Sequence, residues 1–169
     1  MTTTAALVRA ARDGDREAFG RLYQLYGRMV HGVLLARMPR DEVDDLVQEV
    51  FLKAMKQLGS LREPEAFGGW LAMIARNAVT DARRRVRPTQ ELNEELPALE
   101  VGADVAEAEA VLRLIRNLPE AYREPLVLRL VEGMTGPEIA ERTGLTAGSV
   151  RVNLHRGYAL LREHLAGGA

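Results

Sequence analysis

The chain has 169 residues, of which 47% are hydrophobic, 28% are charged and only 5% are aromatic. This composition favours an all-helical protein with a core of Leu, Val and Ala, arranged as one domain or two small ones. Cysteine is absent, which excludes disulfides, thiolate zinc sites and cysteine nucleophiles. No apolar run approaches the length of a membrane span and no signal-peptide core begins the chain, so we expect a cytoplasmic protein without membrane insertion.

The net charge of −1 hides three differently charged segments. Residues 1–87 carry 15 Lys and Arg against 11 Asp and Glu, residues 88–120 carry 2 against 8, and residues 121–169 carry 6 against 5. An acidic middle therefore separates two mildly basic ends. Phosphate binding requires clustered cations, so the two ends are candidates for nucleic-acid contact.

Three helices are predicted in the first half of the chain, where apolar positions recur every three or four residues. The first runs from Phe19 until Pro39 ends the pattern, the second spans about residues 41–58, and the third runs from Phe67 until Pro88. The stretch GSLREPE, residues 59–65, combines Gly, Ser and Pro and is predicted to be a loop.

The second half begins with a segment that has no helical period. From Pro88 to about Gly102 the sequence is acidic and contains two prolines, so it is predicted to be a linker. A short helix then ends at Pro119, and three more follow at about 120–132, 136–142 and 146–165. The expected fold is all-α, with two small helical domains over residues 1–88 and 105–169 joined by an acidic linker over residues 89–104.

The stretch DEVDDLVQEVF, residues 41–51, interleaves five acids with five apolar residues. As a helix it is apolar on one side and acidic on the other. Asp45, Gln48 and Glu49 are spaced i, i+3 and i+4 and therefore share a face. From these residues alone, a metal site, a solvated face and a docking surface all remain open.

The third predicted helix carries arginines beside an apolar stripe that includes Trp70, which we interpret as a core residue. Arg76, Arg83 and Arg87 are seven and four residues apart, and a row of this kind can follow a phosphate backbone. A purely solvated face is the alternative interpretation.

A second feature of this segment concerns bases rather than phosphates. The loop before the helix contributes Leu61 and Arg62, and the helix contributes Asn77. Apolar and amide groups beside cations can hold an unstacked base and contact its edge.

The most specific pattern is GPEIAERTGLTAGSVRVNLHR, residues 136–156. Pro137 suits a first helical turn, Gly144 suits a tight turn that needs a positive φ, and Thr146 is a candidate N-cap. The following helix presents an outward set that suits a recognition helix: Ser149, Arg151, Val152, Asn153, His155 and Arg156. The alternative is a helical hairpin that only packs.

Together these patterns resemble the extracytoplasmic-function (ECF) sigma factors of bacterial RNA polymerase. Three blocks carry the resemblance in the family's order: DEVDDLVQEVFLKA, FGGWLAMIARNAVTDARRR, and the stretch from LPEAYREPLVL through RGYALLREHL. The match extends from about Leu7 to Leu165. The family's compact form has two helical domains, called region 2 and region 4, so the resemblance implies region 2 over residues 1–88 and region 4 over residues 105–169.

The resemblance implies a non-enzymatic function without cofactor or metal. The chain is expected to bind core RNA polymerase, recognise the −35 and −10 promoter elements in DNA and help to open the duplex. In the family, the helix that matches Asp45, Gln48 and Glu49 docks on the clamp helices of the β′ subunit, and region 4 meets the β flap. An anti-sigma factor is a further implied partner, and we expect the free chain to be a monomer.

Promoter contacts are implied position by position. Asn77, Leu61 and Arg62 match positions that capture a flipped base of the −10 element. Contacts to DNA near that element are assigned to four arginines of the third helix: Arg76, Arg83, Arg84 and Arg87. Contacts to the −35 element are assigned to Ser149, Arg151, Val152, Asn153, His155 and Arg156. The acidic linker matches the segment that threads toward the active-site cleft.

Two residues depart from the family pattern. Asn153 stands where many relatives have a basic residue, and Gly157 stands where alanine is common. Glycine inside a helix costs about 1 kcal/mol relative to alanine, so we expect the last helix to bend or fray at Gly157. We also expect no appended C-terminal domain.

Two other functions remain open. A stand-alone helix-turn-helix regulator would explain residues 119–165 but would leave the acidic and arginine-rich helices without a role. A magnesium-dependent phosphohydrolase could use the acids of residues 41–49. However, the sequence contains no second acidic cluster on a facing helix and no phosphate-binding glycine loop.

Overall fold

The structure is a computed structural model that describes residues 2–86 and 103–167. Those residues form eight α-helices and no strand, which confirms the predicted all-helical fold. The helices are α1 (Thr4–Arg12), α2 (Arg16–Leu35), α3 (Arg40–Gln57), α4 (Phe67–Val86), α5 (Ala103–Arg116), α6 (Glu120–Leu130), α7 (Gly136–Thr143) and α8 (Ala147–Gly167). The predicted linker lies outside the described residues except for its last two positions, which begin α5.

Helices α1–α4 form an N-terminal body in which α2 contacts the other three helices. Helix α1 was not predicted, because nine residues are too few for a clear period. It begins where the Thr3 side chain accepts a hydrogen bond from the Ala6 N–H at 3.1 Å, and Leu7 and Val8 anchor it in the core. The side chain of Asp15 caps α2 in the same way.

The segment between α3 and α4 is held closely against the core. It contains two short 3₁₀ turns, Leu58–Ser60 and Pro64–Ala66, within the stretch that was predicted to be a loop. Phe67 is fully buried, and its ring packs edge-on against Tyr26 at a centroid distance of 5.0 Å. The Trp70 ring lies 5.9 Å from that of Phe67 and packs against the core, as predicted.

Helices α5–α8 form a C-terminal body that contains the predicted helix-turn-helix. Gly144 adopts a φ of 79° at the end of α7, which confirms the predicted positive-φ turn. The Thr146 hydroxyl accepts a hydrogen bond from the Ser149 N–H at 3.1 Å, which confirms the predicted N-cap.

The expected fraying of the last helix at Gly157 is wrong. Helix α8 continues through this position to Gly167. Gly157 is buried, and a Cβ atom placed on it would lie 3.0–3.3 Å from the side chain of Leu126 in α6. The residue is therefore the point where two helices cross closely, and packing there offsets the low helix propensity of glycine.

The two bodies pack against each other, which the sequence patterns did not predict. Helix α6 lies against α2, and α7 lies against α4 and α2. Gly32 faces the Leu128 side chain, and the turn at Gly144 contacts the backbone of Gly69. A Cβ atom on Gly68 would collide with the backbone oxygen of Arg142. Small residues at these positions allow close approach of the two helical bodies.

Candidate docking and nucleic-acid interfaces

The acidic face of α3 is exposed and takes no part in the core. Asp45, Gln48 and Glu49 all lie on the surface, while Val43 and Val50, on the opposite face, are fully buried. The amphipathic spacing thus separates a packing face from a free polar face.

Glu49 is within reach of one cation of the same body. Its Oε2 atom lies 3.4 Å from Arg85 Nη2, and both side chains are more than half exposed. A pair this exposed contributes little to stability. Glu49 and Arg85 also line a shallow groove of about 340 Å³ together with Asp41, Glu42 and Asp45. This groove places α3 carboxylates at an accessible edge of the N-terminal body.

The arginine row of α4 is only partly available to a ligand. Arg76 is held by the Glu124 carboxylate of α6, with Nε to Oε1 at 3.1 Å and Nη2 to Oε2 at 2.9 Å. Arg83 is exposed but donates to the backbone oxygen of Arg37 at 2.6 Å. Arg84 is exposed, and Arg87 lies outside the described residues. The structure therefore brings Arg76 and Arg83 to the surroundings of Arg37 rather than into an open row.

The residues predicted to capture a base differ in their exposure. Asn77 and Arg62 are exposed. Leu61 is only 6% exposed, and its backbone N–H bonds to the Leu58 oxygen at 3.2 Å, so its side chain anchors the loop. In this conformation Asn77 and Arg62 offer polar groups to a ligand, whereas Leu61 positions the segment from which Arg62 projects.

The predicted recognition face of α8 is largely exposed. Five of its six residues are exposed, and Asn153 is half-buried. Val150, on the packed side of the helix, is 1% exposed. The exposed residues are Ser149, Arg151, Val152, His155 and Arg156. A helix carrying this outward set behind a tight turn has the shape and the donors needed to enter a major groove.

Charged residues bridge the bodies at several points, including a pair of Arg40 and Glu109 at 3.6 Å and two larger groups. In the first, Glu124 accepts from Arg76 and also lies 3.4 Å from Arg37 Nη1, while Glu120 lies 3.9 Å from Arg37 Nη2. The Glu124 side chain is 6% exposed and that of Arg37 is 10% exposed. Arg37 and Glu124 are thus a nearly buried pair within an ion cluster in which the N-terminal body supplies the cations and the C-terminal body supplies the anions.

In the second group, Nδ1 of His31 is hydrogen-bonded to Oε1 of Glu132. This hydrogen bond raises the pKa of His31 above its ordinary value of 6.5, and the negative charges of Glu132 and Asp44 act in the same direction. Partial burial and the neighbouring Arg40 lower the pKa but do not cancel that effect. His31 therefore gains a positive charge more readily in the docked arrangement than in water.

No arrangement of side chains within residues 2–86 and 103–167 brings together three or more His, Asp or Glu residues that could hold a metal ion. The acids of α3 instead spread along an exposed surface. Across the same residues, no helix has both the length and the apolar content required to cross a membrane.

Sequence patterns did not identify the interbody residues Arg37, Glu124, His31 and Glu132. Each of these residues lies in a helix or just after one, at a position where the local sequence predicts a charged side chain exposed to solvent. A signal was present at Gly32, because this glycine lies within the α2 helix rather than at a predicted turn. Glycine in such a position often marks the close approach of another element.

Comparison with known proteins matches both bodies to one family. The sigma-70 region 2 family model matches residues 22–89, and the sigma-70 region 4 model matches residues 108–161. RNA polymerase sigma factor CarQ of Myxococcus xanthus is 35% identical over 162 residues, covering 91% of this chain and 92% of that protein. The ECF RNA polymerase sigma-E factor of Haemophilus influenzae is 30% identical over 180 residues, covering 96% and 95%.

A solved structure agrees with these matches. The structure of CnrH in complex with the cytosolic domain of CnrY aligns with a TM-score of 0.68 at 26% identity, covering 98% of this chain and 99% of that one. The likeness thus extends over both bodies, from the acidic helix to the helix-turn-helix. This chain belongs to the ECF family of RNA polymerase sigma factors.

Proposed function

We propose that the chain binds core RNA polymerase and directs it to promoters by recognising the −35 and −10 elements and helping to open the duplex. The observation that carries the proposal is the presence of two unrelated free surfaces on one chain. One is the exposed acidic face of α3, and the other is the exposed polar and basic face of α8. Such a chain joins an enzyme to DNA, without catalytic residues or a cofactor of its own, in the cytoplasm.

In this proposal the α3 face docks on the clamp helices of the polymerase β′ subunit. Asp45 and Glu49 supply carboxylates, and Gln48 between them supplies an amide that can donate and accept. Charged groups at such an interface set orientation and speed of encounter more than affinity. The weak Glu49–Arg85 contact is readily exchanged for a contact with a basic clamp residue, since both side chains are already solvated.

Promoter recognition is divided between the two bodies. Arg151, His155 and Arg156 contact the −35 major groove and its phosphates. Asn77 and Arg62 contact a base of the −10 element after it leaves the duplex, and Arg83 and Arg84 contact nearby phosphates. The exposure of Asn77 and Arg62 beside a closely held loop supports this assignment.

An anti-sigma factor is the expected regulator. The solved structure that aligns with this chain contains CnrH together with the cytosolic domain of CnrY. A regulator that covers the α3 face would compete directly with polymerase for the same side chains. We infer that the chain is a monomer when it is free of both partners.

The proposal is tested first by co-elution of the purified chain with bacterial core RNA polymerase. Glu49→Arg and Asp45→Arg should weaken this binding, because each reverses a charge on the docking face while leaving the buried valines untouched. Glu107→Arg, a reversal at an exposed position of α5, is the matched control and should bind as the wild type does. Equal binding by all four proteins would refute the docking assignment.

The role of Asn77 is tested separately on a promoter selected with the reconstituted holoenzyme. Asn77→Ala should reduce open-complex formation, followed by permanganate reactivity of unpaired thymines, more than it reduces closed-complex formation. If the wild-type chain failed to bind core polymerase yet bound a duplex tightly by itself, a stand-alone regulator would replace the sigma-factor proposal. The exposed recognition face of α8 makes that second outcome a real alternative.

A further inference from the structure

The interbody cluster around Glu124 has the form of a filled anion site. The carboxylate receives two parallel hydrogen bonds from Arg76, at 3.1 and 2.9 Å, and lies 3.4 Å from a third guanidinium nitrogen on Arg37. Arg37 is fixed from behind, since its Nη1 atom also donates to the Val33 oxygen at 2.9 Å. Two arginines of the N-terminal body thus converge on one oxyanion supplied by the C-terminal body.

The acids that neutralise these arginines all come from the opposite body. Among the described residues, only Glu124 and Glu120 approach Arg37 within salt-bridge distance, and only Glu124 approaches Arg76. Both glutamates lie on α6. If the C-terminal body moves away, two neighbouring guanidinium groups are left without a counter-ion. Their mutual repulsion then favours any other oxyanion that can fit between them.

Phosphate suits this position on chemical grounds. Arginine binds phosphate and carboxylate through the same bidentate geometry, so a site shaped around Glu124 accepts a phosphate oxygen pair as well. Arg83 extends the site, because its Nη2 atom donates to the backbone oxygen of Arg37 at 2.6 Å. Three cations at one location, two of them beneath a removable cover, match the charge of a nucleic-acid backbone.

We propose that Arg37 and Arg76 form a single phosphate site for nucleic acid, which Glu124 occupies while the two bodies are docked and releases when they separate. The proposal adds Arg37 to the DNA-binding residues and assigns Glu124 the role of an internal competitor. It rests on the proposed function only in that the chain acts on DNA. The described arrangement is then the closed form of the free chain.

Two substitutions should open the closed form by different means. Glu124→Gln removes the anionic charge while it preserves the shape of the side chain. Gly32→Gln places a side chain where even a Cβ atom would meet Leu128 and lie 2.9 Å from Glu132 Cγ, and it changes no charge. Their controls are Gly20→Gln, at a position of α2 with nothing nearby, and Glu163→Gln, at an exposed position of α8.

Small-angle scattering on the full chain reports whether the bodies separate. A compact chain of this length has a radius of gyration of about 15 Å, and both opening variants should exceed the wild-type value while both controls match it. Circular dichroism should show unchanged helix content in all of them. Wild-type values in both opening variants would refute the closed form.

Fluorescence anisotropy with a labelled single-stranded DNA of about 20 nucleotides reports the phosphate site. Glu124→Gln and Gly32→Gln should bind about tenfold more tightly than the wild type, because the competent form is no longer a minor species. Two extra phosphate contacts should steepen the plot of the logarithm of the binding constant against the logarithm of the salt concentration by about 1.4 for a single strand. Adding Arg37→Gln to either variant should remove about half of that gain in slope.

Beyond the scattering result, three outcomes of the binding measurements would overturn the proposal. The first is separation of the bodies without tighter binding, and the second is an equal gain from Glu163→Gln, which would reduce the effect to net charge. The third is a gain that survives Arg37→Gln unchanged. None of these measurements uses RNA polymerase, so failure here leaves the co-elution result standing, and failure of co-elution leaves the anion site standing.

Discussion

Replacing Gly144 by alanine should destabilise the folded chain for two separate reasons. The residue has a φ of 79°, in the left-handed region that glycine occupies without strain. An L-residue there costs about 1–2 kcal/mol. The added Cβ atom would also lie 3.0 Å from the Gly69 Cα atom of α4, and a backbone atom cannot rotate out of the way as a side chain can.

The two contributions can be separated with a second substitution at the same position. Asparagine tolerates the left-handed conformation better than alanine does, but it brings the same Cβ atom to Gly69. Gly144→Asn should therefore retain the interbody collision and lose part of the strain. Gly148→Ala is the opposite control, because Gly148 lies in the first turn of α8 with nothing within 4 Å. The free energy of unfolding of Gly148→Ala should exceed that of the wild type by about 0.5–1 kcal/mol.

Thermal unfolding followed by far-ultraviolet circular dichroism measures these effects. For a chain of this size, 1 kcal/mol corresponds to about 2–4 °C in Tm, so the strain alone lowers the Tm of Gly144→Ala by about 2–8 °C. The expected order of Tm is Gly148→Ala highest, then wild type, Gly144→Asn and Gly144→Ala. A wild-type Tm in Gly144→Ala, or a lower Tm in Gly144→Asn than in Gly144→Ala, would contradict this reasoning.

Three further predictions concern pH, packing and promoter recognition. Docking raises the pKa of His31 above 6.5. The contact of His31 with Glu132 therefore contributes fully to the free energy of unfolding below pH 6.5, and this contribution is lost as the pH rises through the raised pKa. Urea unfolding across this pH range should show the loss of stability in the wild type and not in His31→Gln. Gly157→Ala should lower the free energy of unfolding of the chain by about 1 kcal/mol, because overpacking against Leu126 outweighs the gain in helix propensity. Adding Leu126→Ala to the same chain should relieve the collision, which a urea titration would measure. Arg151→Ala should weaken use of the −35 element by about 1–3 kcal/mol if the side chain contacts a base edge; run-off transcription on altered −35 sequences would show a uniform loss instead if it contacts phosphate.

Periodicity and turn chemistry were sufficient to predict helices α2–α8 and the exposed faces of α3 and α8, but not the short helix α1. The apolar spacing of residues 41–51 placed Val43 and Val50 in the core and left the acids exposed, because both outcomes depend on the helix repeat alone. Gly144 and Thr146 were recognised for the same kind of reason, since a positive φ and an N-cap are properties of a few consecutive residues. The family, which is defined by such local blocks in a fixed order, followed from them.

Those patterns could not predict that one body docks on the other. Arg76 and Glu124 are 48 residues apart, Arg37 and Glu124 are 87 apart, and His31 and Glu132 are 101 apart. No helical repeat relates residues at such separations, so a charged side chain in each local context is expected to be solvated.

The same separation explains the one structural expectation that was wrong. Gly157 is a poor helix former by its intrinsic propensity, and only the position of Leu126 on another helix makes the absence of a side chain an advantage there. Arg76 is a similar case: its spacing predicted a member of an exposed arginine row, whereas in the structure it binds the Glu124 carboxylate of another helix. Local sequence determines which residues form a helix and which face is apolar, whereas the partner of each face depends on how distant helices meet in three dimensions.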